Sequence, residues 1–200
     1  MPSFDLRGIK VAKYVNTAGS ISYTNAQSIG DAMNVNLELR YAEGRLYAES
    51  TLAEFIRAAV GGTISIGVKY IPDAAQKLMF GSRTNTRSIT YTPTTGGSST
   101  SESVAGLALG AKSVGQNVGV AFYAPDMVDG VEKYTCVKIA RALFGPPSMT
   151  FNTKGENIQF NTPTTSGEFM ADHSAAQDML EVAICEDENE AIAWVEAVLV

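Results

Sequence analysis

At 200 residues, 45% of them hydrophobic, the chain is long enough for one domain with a sizeable core. Its charged fraction of 18% lies below the usual ~25% of soluble domains, and its net charge of −6 argues against a surface built to grip nucleic-acid phosphates. A low charge density with much Thr, Ser, Asn and Gly fits either a weakly charged monomer or a surface that partners cover.

The N-terminus, MPSFDLRGIKVAKYV, has no basic region followed by an apolar run, so no signal peptide is expected. No stretch approaches the ~20 apolar residues of a membrane span, so no membrane partner is expected either. Cys136 and Cys185 lie in apolar-rich segments and read as buried free thiols of a cytosolic product.

In chain order, Ile9–Tyr14 reads as a short strand and 16–31 as a polar loop. Met33, Val35, Leu37, Leu39 and Tyr41 then alternate with Asn34, Asn36, Glu38 and Arg40, the period of a strand with one face on a core. Ala42–Arg45 is expected to turn the chain, with Leu46–Glu49 starting the return strand. Residues 50–60 carry two readings. Leu52, Phe55, Ile56, Ala59 and Val60 fall at helical spacing behind a Thr51-x-x-Glu54 capping box, with Gly61-Gly62 as the stop. As a strand, the same residues run into Gly61-Gly62 as a hairpin turn toward Thr63–Val68.

Pro72–Phe80 reads as a short helix, with Ala74, Ala75, Leu78 and Met79 as its apolar stripe and Gly81 closing it. From Ser82 to Ser103 the chain is rich in Thr, Ser and Gly, too long for an ordinary connection. Ile89 and Tyr91 alternate there, so a short strand could pair with another chain. Gln116–Tyr123 and Lys133–Phe144 are read as a strand pair around a turn at Asp126–Gly130, ended by Pro146 and Pro147. Further strands are expected at Gly155–Thr162 and Asp178–Cys185. A terminal helix is expected from Asp187 to Val198, with Ile192, Val195 and Leu199 on one face.

Three constellations invite a reading as chemistry. Gly106–Ser113 (GLALGAKS) lacks the spacing of a phosphate loop, because three residues separate the glycines and Ala111 precedes Lys112. His173 is the single histidine, in a polar loop with Asp172 and Asp178 nearby, and no G-x-S-x-G elbow positions a nucleophile for it. Cys185–Glu190 (CEDENE) concentrates acids but fails the calcium-loop template, and reads as a helix start. No catalytic residue, cofactor or metal site is expected.

Asn152–Met170 is the most distinctive segment: Asn152-Thr153-x-Gly155-x-x-Ile158-x-Phe160-x-Thr162-Pro163-Thr164-x-x-Gly167. Other pieces accompany it in order: Tyr41–Ala48 (YAEGRLYA), Gly61-Gly62-Thr63, the short helix ending at Gly81, Gly119–Tyr123 before Tyr134–Phe144, and Ala193-Trp194. In this series the chain resembles the major tail, or tail-tube, proteins of long non-contractile-tailed phages. The polar insertion at 82–103 looks longer than is usual for that family.

The resemblance implies a mainly β fold, a β-sandwich or partial barrel of the tail-tube type over 1–200, with one short internal helix and a C-terminal helix. It favours the strand reading of 50–60. It implies a structural virion protein, not an enzyme, whose hexameric rings stack into the tail tube, the conduit for DNA ejection. The implied partners are further copies of itself, a tape-measure protein, tail terminator and baseplate or distal tail proteins. DNA would pass through the lumen without specific binding. Assembly would take place in the host bacterial cytoplasm and the product would reside in the virion. An inner tube of a related contractile injection or secretion system is the alternative. On this footing Asn34, Asn36, Glu38 and Arg40 are candidates for a lumen or subunit-interface face. The segments 16–31 and 82–103, with Tyr23, Asn25, Arg87, Ile89 and Tyr91, are candidate assembly loops.

Overall fold

The computed structural model describes residues 5–48, 51–128, 130–150, 153 and 162–200. The chain forms β1 (Arg7–Thr17), β2 (Ser20–Ser28), β3 (Ala32–Ala48), β4 (Thr51–Val68), α1 (Asp73–Phe80), β5 (Arg83–Tyr91) and β6 (Thr100–Ala108). It continues through β7 (Val118–Val128), β8 (Val131–Phe144), β9 (Thr164–Met170), β10 (Leu180–Cys185) and α2 (Glu188–Ala197). The protein is mainly β with a short internal helix and a C-terminal helix, as the sequence implied.

One large antiparallel sheet runs β2-β1-β7-β8-β9-β4-β3. Strand β8 serves two neighbours on one side: β10 pairs with Tyr134–Ile139, and β9 with Arg141–Phe144. The register between β7 and β8 shifts between Val118↔Ala142 and Val120↔Ile139, which lets both Ile139 and Ala142 face the same core. Strands β5 and β6 form a separate two-stranded ribbon.

The central strands are apolar on both faces, as a doubly covered sheet requires. In β7, Val118, Val120 and Phe122 enter the main core with Ile9 and Val11 of β1, Ile64 and Ile66 of β4, and Phe169 of β9. The alternate residues Ala121 and Tyr123 face a second cluster under α2, with Ala191, Val195 and Leu199. Helix α1 closes the main core with Ala75, Leu78, Met79 and Phe80, and Gly81 ends it in the left-handed conformation, φ 66°.

The expected loop at 16–31 is instead a tight turn at 18–19 followed by β2, which pairs along β1 from Thr17↔Ser20 to Lys10↔Ser28. Its polar composition misled because β2 buries one ring, Tyr23, and leaves most of its other residues exposed. The segment 82–103 likewise contains β5 and the start of β6, joined by a turn with Gly96 and Gly97 at positive φ. Ala42–Arg45 does not turn: β3 continues through it to Ala48. Gly61-Gly62 is no turn either, since β4 passes straight through both glycines. Residues 51–60 are strand, in agreement with the reading the resemblance favoured. Along α2, Ile192 is exposed and Ala191 takes the inward place expected for it. The expected strand Gly155–Thr162 lies outside the described residues except for Thr162, which precedes β9.

Candidate assembly surfaces

Strand β3 carries the candidate polar face. Asn36, Glu38 and Arg40 are exposed, opposite the half-buried Val35 and Leu37. Register extends this face across three strands, through Ser65 and Thr63 of β4 to Ser166 and Glu168 of β9. Arg40 Nη2 lies 2.7 Å from Glu168 Oε1, an exposed pair worth about 0–1 kcal/mol. Asn34 is different. It follows a bulge at Met33, and its Oδ1 accepts a hydrogen bond from the Gly67 N–H at 3.0 Å, a local fastening within the hairpin.

The apolar face of β3 is covered only over Val35 and Leu37. Met33, Leu39 and Tyr41, expected on the core, are exposed, because Met33 bulges out and, among the described residues, no layer packs on the hairpin beyond Leu39. Strand β9 pairs with β4 from Gly62 to Gly67, so among the described strands the outer part of the hairpin, through 51–60, pairs with β3 alone. Leu46, Tyr47, Leu52, Phe55 and Ile56 are all exposed there. Cross-strand contacts give this arm what order it has. The Arg57 guanidinium sits 3.9 Å from the Tyr41 ring centroid, and Glu43 takes both Arg45 at 3.2 Å and Arg57 at 3.5 Å.

The β5–β6 ribbon is a second arm. Its register separates two faces. One carries Thr84, Thr86, Ser88 and Thr90 opposite Leu107, Ala105, Ser103 and Ser101. The other carries Arg83, Arg87, Ile89 and Tyr91 opposite Ala108, Val104, Glu102 and Thr100. Arg87, Ile89 and Tyr91 are thus brought together on one exposed face, as their spacing suggested, but they pair within the chain.

Tyr23 and Asn25 lie on strand β2 rather than on a loop. The Tyr23 ring packs edge-on against Tyr14, and its hydroxyl donates to the Ala140 carbonyl at 2.9 Å. Burial pushes this phenol above its ordinary pKa. Asn25 is exposed at a β2 bulge with φ 57°, where its Oδ1 accepts from Gln27 Nε2.

Helix α2 is strapped to β1 by charge. Arg7 Nη1 meets Glu188 Oε1 at 2.7 Å, Tyr123 donates to the same oxygen, and Lys10 meets Glu196 at 2.8 Å. The hydrogen bond from Arg7, and then that from Tyr123, hold the Glu188 carboxyl below its ordinary pKa; Lys10 does the same for Glu196. The acids of CEDENE start the helix: Asp187 caps it through the Asn189 N–H, and Glu190 accepts from the Glu186 N–H. Beneath the helix, Cys136 and Cys185 are free, buried and 3.5 Å apart between sulfurs. Burial, then the hydrogen bond to Cys185, pushes the Cys136 thiol up to about 12.

The groups weighed as chemistry are engaged separately. His173 is exposed, with Nδ1 3.0 Å from the Tyr14 hydroxyl and Nε2 2.6 Å from Arg141, while Asp172 accepts from both Ser174 Oγ and its N–H. Gly110–Ser113 makes a turn after β6 with no helix behind it. Among the described residues no group of three or more His, Cys, Asp or Glu could hold a metal ion. No described helix is long and apolar enough to cross a membrane.

One feature gave no signal in the sequence. The sheet curves until Val35 and Leu37 of β3 face Phe122, Ala124 and Val137 across an open groove of about 390 Å³, with Asp126 and Thr135 in its lining. The carboxylate comes from the end of β7, the strand's one buried charge, a position that reads from the sequence as part of a turn.

No protein-family model and no curated protein matches this chain.

Proposed function

We propose that this protein is a self-assembling tube subunit, of the kind its sequence resembles in long-tailed phages, whose rings stack into a conduit for DNA. The observation that carries the reading is the outer part of the β3–β4 hairpin, where Leu46, Tyr47, Leu52, Phe55 and Ile56 are exposed on a two-stranded ribbon. Such a ribbon is marginal alone in water and gains most from burial against another chain. The large sheet also ends at β2 and β3, whose outer edges are unpaired among the described residues. Ring closure satisfies such edges without exposing a template for uncontrolled pairing.

The polar face through Asn36, Glu38, Arg40, Thr63 and Glu168 suits the lumen. It is an exposed face of mixed charge that offers DNA no continuous cationic track. Six copies per ring, the tape-measure protein and the terminal tail proteins come with the resemblance. The reading is one of geometry and assembly, with no catalytic step.

Negative-stain microscopy with sedimentation velocity tests it on the purified protein. Rings or hollow filaments at rising concentration are expected. A chain that stays monomeric at millimolar concentration, with no rings, would remove the reading.

A further inference from the structure

We infer that the groove between β3 and β7 receives the β5–β6 arm of a second copy, with Arg87 answering the charge of Asp126. The inference rests on the assembly reading and names the contact that holds neighbours together.

Asp126 is 3% exposed; its Oδ2 accepts a hydrogen bond from Thr135, and its Oδ1 has no hydrogen-bond partner among the described residues. A buried carboxylate with an unmet acceptor is costly, and the cost falls when a donor or cation is brought close. Around it the groove is apolar, lined by Val35, Leu37, Phe122 and Val137. Its occupant should therefore present apolar side chains together with an uncommitted cation.

The two exposed arms differ in this respect. On the β3–β4 arm, Arg45 and Arg57 are already committed to Glu43. On the β5–β6 arm, Arg87 shares a face with Ile89, Tyr91 and Val104, and it makes no ion pair among the described residues. Alternation places Arg87, Ile89 and Tyr91 two residues apart, so the three point the same way along about 14 Å of strand. That is a largely apolar face with Arg87 at one end and Glu102 opposite Ile89. Its apolar side chains match the groove lining, and Arg87 is the cation that answers Asp126.

The arm also needs such a seat. Strands β5 and β6 pair with each other, the arm's apolar side chains on that face are exposed, and a lone hairpin is marginally stable. A guanidinium need not touch Oδ1 to offset the charge; within about 5 Å the attraction through a dry groove is strong. The contact is heterologous, arm of one copy into groove of the next, which is the arrangement that propagates around a closed ring.

The test uses full-length subunits with one added cysteine each, Ile89→Cys on the arm and Ala124→Cys in the groove, mixed and treated with a short bis-maleimide. The native Cys136 and Cys185 are buried, and the unsubstituted protein serves as their control. A crosslinked dimer in the mixture, absent from either variant alone, is expected. Assembled particles without that dimer, or a dimer formed by Leu52→Cys with Ala124→Cys in its place, would overturn the contact and leave the tube reading standing. A mixture that never assembles removes both. Arg87→Glu is the second arm of the test. It should raise the concentration needed for assembly about tenfold or more with an unchanged circular dichroism spectrum, and unchanged assembly would overturn the pairing.

Discussion

Strand β4 is two strands in physical terms. From Gly61 to Val68 nearly every residue is buried, and pairing with β3 on one side and β9 on the other is continuous. From Thr51 to Val60 every residue is exposed, and among the described strands β3 alone pairs with it. Yet Leu52, Phe55, Ile56 and Val60 make the outer part no less apolar than the inner. Apolar composition alone does not make a core; a third layer does. What separates the two parts is that the inner one shares a core with Phe169, Ile139 and Val120, whereas among the described residues nothing covers the outer one. A chain that keeps large side chains on an uncovered ribbon points to cover supplied by another molecule.

The comparison breaks most directly with two phenylalanines. Phe169→Ala empties a fully packed site and should cost about 3–5 kcal/mol in urea unfolding of the monomer. Phe55→Ala, on the outer part, loses only an exposed cation–π contact with Arg45 and should cost about 0.5–1 kcal/mol in the same experiment. It should weaken assembly instead. Equal costs in the monomer would mean that the arm is already packed on its own body.

Glycines sharpen the same contrast. A Cβ on Gly62 would lie 2.3 Å from the Glu38 carbonyl oxygen and 2.4 Å from the Phe169 ring, so Gly62→Ala should cost about 1–3 kcal/mol. Gly44 on the arm has open space around it, so Gly44→Ala should be neutral or stabilise by up to about 1 kcal/mol. Thermal melts of the two variants check both signs. Smaller again is the cap of α2: Asp187→Ala removes the bond to the Asn189 N–H and should cost about 1 kcal/mol, read from the same melts.

The sequence was legible where the signal was local. Alternation through Asn34–Arg40 marked a strand with one polar face, Gly81 marked the end of α1, and acids after Cys185 marked the start of α2. It failed where partners decided. Ala42–Arg45 has turn-like residues, but Glu43 pairs with Arg45 along the strand and with Arg57 across the hairpin, and the strand runs on unbroken. Gly61-Gly62 looks like a hairpin turn, and the glycines are there because Phe169 and the β9 backbone pass close by. Polar 16–31 and 82–103 looked like loops because strands at a sheet edge or in a ribbon have little to bury. The groove at Asp126 was invisible for the same reason: it exists only once β3 has curved round to face β7.

The body and the arms also differ in how charge is used, and pH separates them. On the body, Arg7 and Lys10 of β1 hold Glu188 and Glu196 of α2, and both carboxyls lie below the ordinary glutamate value of 4.5. A carboxyl depressed in the folded state contributes stability that is present above its unfolded pKa and is lost as pH falls through the lower folded value. The attachment of α2 should therefore weaken only below about pH 4.5, which Trp194 fluorescence on that helix can follow. The sharper measurement is the Glu188 carboxyl itself, titrated by NMR in the native protein and in Arg7→Ala. Removing the first and larger cause of the depression should move the midpoint back up toward 4.5, with the Tyr123 hydroxyl retaining part of the effect. An unchanged midpoint would mean that Arg7 does not hold the helix, and that α2 stays on the sheet through Lys10–Glu196 and the buried Ala191, Val195 and Leu199.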